Sequence, residues 1–253
     1  MKRILVMGLM AVTLSTYSQK TNLVTVNTVR PKKGQKMAFE AAYKLHVAKF
    51  HKAAGQKVNV FEILTGPNAG CFHLNEGDLS FADFDKTRPD AAAHSLDLDK
   101  TFFPLLEETM NGTYRWMDSL SFHSDVKAES FVVTVRHLKP GLEQNDYRKE
   151  LARAVKINSK LKGNFIENLS TSYYEQLWDG SDQMVVQIRN LKDGFKSLED
   201  GYYGPPQPGN AFRDAYVAAY GHAAWDARVK ILDGAIESNT QYLAKWRKDI
   251  SSQ

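Results

Sequence analysis

The chain has 253 residues, 43% of them hydrophobic and 25% charged, and carries a formal net charge of +4 at pH 7. That is a globular composition with room for one large or two ordinary domains, and its electrostatic field is too weak for phosphate-backbone binding, which disfavours a nucleic-acid partner. The single Cys71 has no partner for a disulfide and no second thiol for chelation, and it reads as a buried strand residue.

Residues 1–18 read as a secretory signal. Lys2 and Arg3 form the charged start, residues 4–14 the apolar run, and Thr16-Tyr17-Ser18 a small-x-small cleavage site. The mature protein then begins near Gln19 with 31 basic against 29 acidic side chains. The apolar run is too short to span a bilayer and no later segment comes close, so the expectation is an exported protein, periplasmic or secreted, without a stable membrane anchor.

A strand is predicted over 23–29, leading through a Pro31 to Gly34 turn into a helix over 35–54 whose buried stripe is Phe39, Ala42, Tyr43, Val47 and Phe50. Residues 58–64 and 71–75 form a hairpin around the breaker-rich turn 65–70. Helical turns follow from Ser80, then a broken segment, then a fourth strand at 114–120. The alternating, β-branched stretch 131–138 and its Lys139-Pro140-Gly141 turn restart the same order, with a helix over 148–162, a hairpin of 171–178 and 184–189, and a long helical region over 211–237. The turn glycines Gly34 and Gly141 lie 107 residues apart; Phe61-Glu62-Ile63-Leu64 matches Tyr174-Glu175-Gln176-Leu177, Ser80 to Asp85 matches Gly194 to Glu199, and Trp116 to Ser121 matches Trp246 to Ser251. Three such matches in one order predict a duplicated chain, with units at 19–125 and 126–253.

The order β-α-β-β-α-β is the ferredoxin-like one, an antiparallel sheet with its helices on one face and the other face bare. With the strand, the Lys139-Pro140-Gly141 turn and the aromatic-led helix carrying Phe39 or Tyr147, the chain resembles the dimeric α+β barrel superfamily. That superfamily includes antibiotic-biosynthesis-monooxygenase-like and stress-responsive barrel proteins. The resemblance covers nearly all of the mature chain. It implies an α+β fold of two tandem ferredoxin-like domains packed sheet to sheet as an intramolecular barrel. It also implies that haem-binding relatives would place a histidine on a helix such as the one bearing His222, beside Trp225 and Asp226. No local haem motif accompanies His222, and no cofactor is expected.

Alternation assigns the faces of the strands. Val24, Val26 and Thr28, with Phe131, Val133 and Val135, form the more apolar set and are expected to meet the helices, as are Phe72 and Leu74 with Val186 and Ile188. The complementary face then collects Asn27, Glu62, His73, Thr134, Arg136, Glu175, Gln187 and Arg189 as lining for a polar inter-sheet cavity. Burying these charges dry would cost several kcal/mol each unless paired, which favours a hydrated binding site. His73 beside Glu62 is the one candidate for a general base. The helical basic stripe Lys149, Arg153, Lys156 and Lys160 reads as a solvated face, and 202–209, with Tyr202 and Tyr203, as a loop. No phosphate loop, zinc spacing or nucleophile elbow appears, so no metal site is expected. A small-molecule ligand is the expected partner, bound or transformed as in cofactor-independent monooxygenase-like relatives. A structural module and a homo-oligomer both stay open.

Overall fold

The structure is a computed structural model describing residues 22–252 apart from 53–55, 123–127, 142, 162–170, 178–182 and 200–210. The expected signal peptide, the proline-rich loop and most of the expected inter-domain boundary lie outside the described residues.

Eight antiparallel strands close into a barrel. They are β1 (Leu23–Pro31), β2 (Val58–Ile63), β3 (Phe72–Leu79), β4 (Leu106–Trp116), β5 (Ser130–Leu138), β6 (Thr171–Leu177), β7 (Gln183–Leu191) and β8 (Ile236–Trp246). Around the wall they run β1-β3-β2-β8-β5-β7-β6-β4. The order β4-β1-β3-β2 of the first half therefore recurs as β8-β5-β7-β6 in the second. The halves join where β2 meets β8 at Phe61 and Trp246, and where β4 meets β6 at Trp116 and Tyr174. One detail repeats to the atom. Trp116 Nε1 donates to Ser121 Oγ at 3.1 Å, and Trp246 Nε1 donates to Ser251 Oγ at the same distance.

Among the described residues five α-helices accompany the barrel: α1 (Lys36–Phe50), α2 (Ala91–Asp97), α3 (Glu143–Asn158), α4 (Ala211–Tyr220) and α5 (His222–Ala235). On α1 the residues Phe39, Tyr43, His46, Val47 and Phe50 recur at three- and four-residue spacing and are all buried. Phe39, Tyr43 and Val47 pack on Val29, Val58, Val60, Phe72 and Leu74, with Phe102 closing the cluster at 5.3 Å from the Phe39 ring. The second half repeats the arrangement with Tyr147 and Leu151 of α3 against Leu138 and Val185. Among the described residues no helix is long and apolar enough to cross a membrane.

Two elements depart most from the sequence reading. The fourth strand lies at Leu106–Trp116 and residues 118–120 form a 3-10 turn, because the aromatic end of this segment is only the last part of a longer, largely exposed strand. The helical region expected over 211–237 breaks at Gly221, whose φ of 86° is open to glycine and strained for other residues. It ends at Ala235, and β8 takes over at the β-branched Ile236. Cys71 is buried as expected, immediately ahead of β3.

The larger correction concerns which face of the strands meets the helices. Val24, Val26, Phe131, Val133, Val135, Val186 and Ile188 line the barrel interior, whereas Val29, Phe72, Leu74, Val185 and Leu138 meet the helices. In β1 and β5 the more apolar of the two alternating sets points inward. The helix-facing set tolerates polar residues because amphipathic helices return charges of their own to it. In the second hairpin the repeat is offset by one residue, so Val185, and not Val186, takes the place of the helix-facing Phe72.

Candidate functional site: an aromatic cavity inside the barrel

The interior encloses a cavity of about 400 Å³, within the usual range for a small-molecule pocket. Its wall follows from strand alternation, since every second residue of each strand points inward. Six of those positions carry rings: Phe61, Tyr114, Trp116, Phe131, Tyr174 and Tyr242. Valines, Met184 and Ile188 fill between them. Gly112 has a structural part here, because a Cβ at that position would stand 2.9 Å from the Tyr114 ring, which lies across the strand. Exposed Asp78 marks the mouth, on a bulge where β3 spends one extra residue against β1 and where Asp78 adopts a φ of 58°.

The polar centre is a hydrogen-bonded chain across three strands. His73 of β3 sits directly opposite Thr28 of β1, and Nδ1 lies 2.8 Å from the Thr28 hydroxyl. Nε2 lies 2.9 Å from the hydroxyl of Tyr242 on β8. A neutral imidazole satisfies both hydroxyls by donating to one and accepting from the other. Burial pushes the His73 ring down to about 4, and burial, followed by the neighbouring Tyr114, raises the Tyr242 phenol above its ordinary value. Both groups are therefore neutral at physiological pH. Asn75, two residues along β3, presents a buried Oδ1 that finds no hydrogen-bond partner among the described residues. Such an orphan acceptor costs about 1 to 3 kcal/mol, which a ligand donor or a water recovers.

Of the eight residues expected to line the cavity, His73 does so and the other seven lie outside it. Glu62 is held by Lys36 of α1 and by Arg247, whose Nη1 is 2.9 Å away. Those partners, more than its burial, set its direction, and the carboxyl sits below the usual range. Glu175 is paired with Arg148 of α3. The two glutamates are thus equivalent, as their matching predicts, yet they pin helices to the outer wall. Arg136 donates to Gln187 Oε1 at 2.5 Å and contacts Tyr147 of α3, and Thr134 accepts from Gln241 at 3.1 Å. Asn27 and Arg189 alternate with inward Val26 and Ile188, which places both on the outer face. The sequence reading missed Tyr242, Phe61 and Tyr114. Their signal was a row of rings at alternate strand positions.

A second cleft of about 250 Å³ lies between the outer wall and the helices of the second half, bounded by Leu151, Val155, Tyr173, Gln187, Phe212 and Arg228. The resemblance raises haem. Among the described lining residues of this cleft none is a histidine, cysteine or methionine, Tyr173 is of a haem-ligating type, and His222 stands exposed at the start of α5. A different group of side chains has the donor set of a metal centre. His46, His51 and His94 bring one ring nitrogen each within 4.8 Å of the others, on the outer side of the first half. Burial lowers all three rings, those of His51 and His94 to about 4. The sequence reading expected no metal site, because spacings of five and 43 residues match no metal motif.

A closed eight-stranded antiparallel barrel clothed in helices, with all eight strands supplied by one chain, is the dimeric α+β barrel fold. Solved structures bear this out. A presumed monooxygenase from Lactobacillus acidophilus NCFM superposes with a TM-score of 0.54 at 6% identity, covering 92% of this chain and 97% of that one. An anthrone oxidase-like protein gives 0.54 at 12% identity, covering 90% and 92%. A mutant chlorite dismutase from Candidatus Nitrospira defluvii gives 0.50 at 7% identity, covering 91% and 93%. No family model and no curated protein matches the sequence. Identities this low carry the fold and no chemistry.

Proposed function

We propose that the chain is an exported protein that binds a small, neutral, aromatic molecule bearing a hydroxyl or carbonyl group inside its barrel. The observation that carries this reading is the cavity wall itself: five further rings surround the neutral His73–Tyr242 pair and the unpartnered Asn75 Oδ1. Rings offer stacking area, and the three polar groups fix orientation. Among the described residues the one carboxylate of the wall, Asp78, stands at the exposed mouth. A charged ligand would therefore lose its hydration deep in the barrel with no counter-ion.

The same electrostatics favour binding over proton abstraction. An imidazole held near 4 would take a proton from a phenol of ordinary pKa, about 10, against roughly 8 kcal/mol. His73 thus serves as a hydrogen-bonding group that keeps the ligand neutral. The recurrent strand order, the Glu62 and Glu175 pairings and the two Trp–Ser contacts support reading the barrel as two ferredoxin-like units, 19–125 and 126–253, of one duplicated chain.

Calorimetry with 1-naphthol and 1-naphthoate tests the binding site. Naphthol is expected to bind more tightly than the carboxylate, with affinity level from about pH 6 to about pH 8, where neither His73 nor Tyr242 titrates and naphthol itself stays neutral. Tyr242→Phe is expected to weaken naphthol binding roughly three- to tenfold, and Val133→Trp, which fills the cavity, to abolish it. Glu62→Gln, on the outer wall, should leave affinity unchanged. Equal binding by the Val133→Trp and wild-type proteins would remove the cavity from consideration. Export rests on residues 1–18 alone. Expression of the full-length sequence in a bacterial host is expected to yield an exported form lacking about 18 residues by mass spectrometry, and an intact N-terminus in that fraction would contradict it.

A further inference from the structure

Three histidines converge where α1 ends beside α2. His46 lies on the buried stripe of α1, His51 follows its last residue, and His94 stands in the first turns of α2. Their Nε2 atoms form a triangle with edges of 3.1 Å between His46 and His94, 3.3 Å between His94 and His51, and 3.4 Å between His51 and His46. Nitrogens held about 2.0 to 2.1 Å from a tetrahedral zinc ion lie about 3.3 Å apart, so the triangle already has the dimensions of a coordination face.

The other ring nitrogens decide what the triangle presents. His51 Nδ1 is 2.7 Å from the carbonyl oxygen of Gln56, which can only accept, so the proton sits on Nδ1 and Nε2 carries a lone pair. His46 Nδ1 is 2.9 Å from Asp97 Oδ2. Lys49 Nζ also donates to this carboxylate, at 3.1 Å, so the carboxylate too accepts and leaves the His46 Nε2 lone pair free. Two lone pairs then face each other at 3.4 Å with no proton between them. A hydrogen on His94 Nε2 cannot serve both well. A cation at the centre satisfies all three rings at once, and a carbonyl or carboxylate behind each of two ligands is the usual support of a metal-bound histidine.

We infer that His46, His51 and His94 form a binding site for one borderline divalent cation of the zinc class, with a fourth position open to solvent beside His94. Three imidazoles select such an ion over calcium or magnesium, which require oxygen ligands. His46 and His51 are 2% and 3% exposed, whereas His94 is half-buried, which puts the open position on its side. Of the nearby cations, Arg88 is taken up by Asp90 and by the Phe50 carbonyl, and Lys49 by Asp97. The Glu76 carboxylate, 3.7 Å from His51 Nδ1, adds negative charge behind the site. The bound ion clamps the seven-residue α2 onto α1, a contact its own apolar residues do not secure, since none of them is fully buried.

The test uses the tag-free chain dialysed against chelator, then titrated with Zn²⁺ by calorimetry and with Co²⁺ by visible absorption. One Zn²⁺ per chain is expected, with an intense tetrahedral Co²⁺ band and a rise in melting temperature on Zn²⁺ addition. His94→Ala and His51→Ala are each expected to weaken Zn²⁺ binding at least 100-fold and to remove the Co²⁺ band, while exposed His222→Ala leaves both intact. Should His51→Ala fail to fold, the half-buried His94→Ala and His94→Gln carry the comparison. Substoichiometric Zn²⁺ in the wild type, or binding unchanged in a folded His94 variant, would overturn the assignment.

Discussion

Replacing Glu150 by alanine is expected to destabilise the protein by about 3 to 5 kcal/mol, lowering the melting temperature by roughly 6 to 20 °C. Glu150 lies on α3 with its side chain only 2% exposed, and it holds three elements together. Tyr216 of α4 donates its hydroxyl to Oε2 at 2.5 Å, Arg153 pairs with Oε1 one turn along the helix, and Arg228 of α5 reaches both Oε2 and the Glu150 carbonyl. Arg228, 13% exposed, also stacks its guanidinium over the rings of Phe212 and Tyr216. Removal of the carboxylate strands that guanidinium and the tyrosine hydroxyl in a low-dielectric layer. Glu150→Gln keeps an acceptor for Tyr216 and is expected to lose less. A Glu150→Leu, Arg228→Met double variant removes both charges and should recover most of the stability, because the desolvation of each ion then disappears with it. Melts of all three variants check the argument, and a Glu150→Ala protein as stable as wild type would refute it.

The hub shows where sequence reading stops. Arg153 looked like part of a solvated basic stripe, because a helical wheel cannot see that α4 and α5 return across that face with Tyr216 and Arg228. The strand order was readable, since β-branched alternation, the glycine turns and the repeated Glu62 and Glu175 are local signals that do not depend on tertiary neighbours. Which strand face is inner was not readable. Alternation divides Val24, Val26 and Thr28 from Thr25, Asn27 and Val29 and says nothing about what covers either set. One charge pair per helix on the outer wall, Glu62 with Lys36 and Glu175 with Arg148, makes that wall look like a polar cavity in one dimension. His46, His51 and His94 were invisible for the same reason. Their meeting depends on α2 folding back over the end of α1, which leaves no fixed spacing in the chain.

His73 supplies the second large effect, a loss of stability in acid. Its ring is neutral in the fold and held down to about 4 by burial between Thr28 and Tyr242, whereas in the unfolded chain it titrates near its ordinary value of 6.5. Between those two values the unfolded state binds more protons than the folded one, so stability rises with pH there. The contribution is complete above about pH 6.5, is lost as the pH falls toward 4, and changes no further below that. From pH 7 to pH 4.5 the loss amounts to about 2 to 3 kcal/mol from this one group. His73→Gln retains a donor and an acceptor for the two hydroxyls without a titrating ring, so its stability should fall by that much less over the same interval. Urea unfolding of both proteins at the two pH values, in chelator so that the other histidines titrate alike in each, isolates the difference. The accessible edge of the ring faces the cavity, so a neutral aromatic ligand that displaces cavity water should depress the ring further and stabilise the fold most at neutral pH. Parallel pH profiles for wild type and His73→Gln would show that the imidazole is solvated, and the neutral centre of the proposed binding site would go with it.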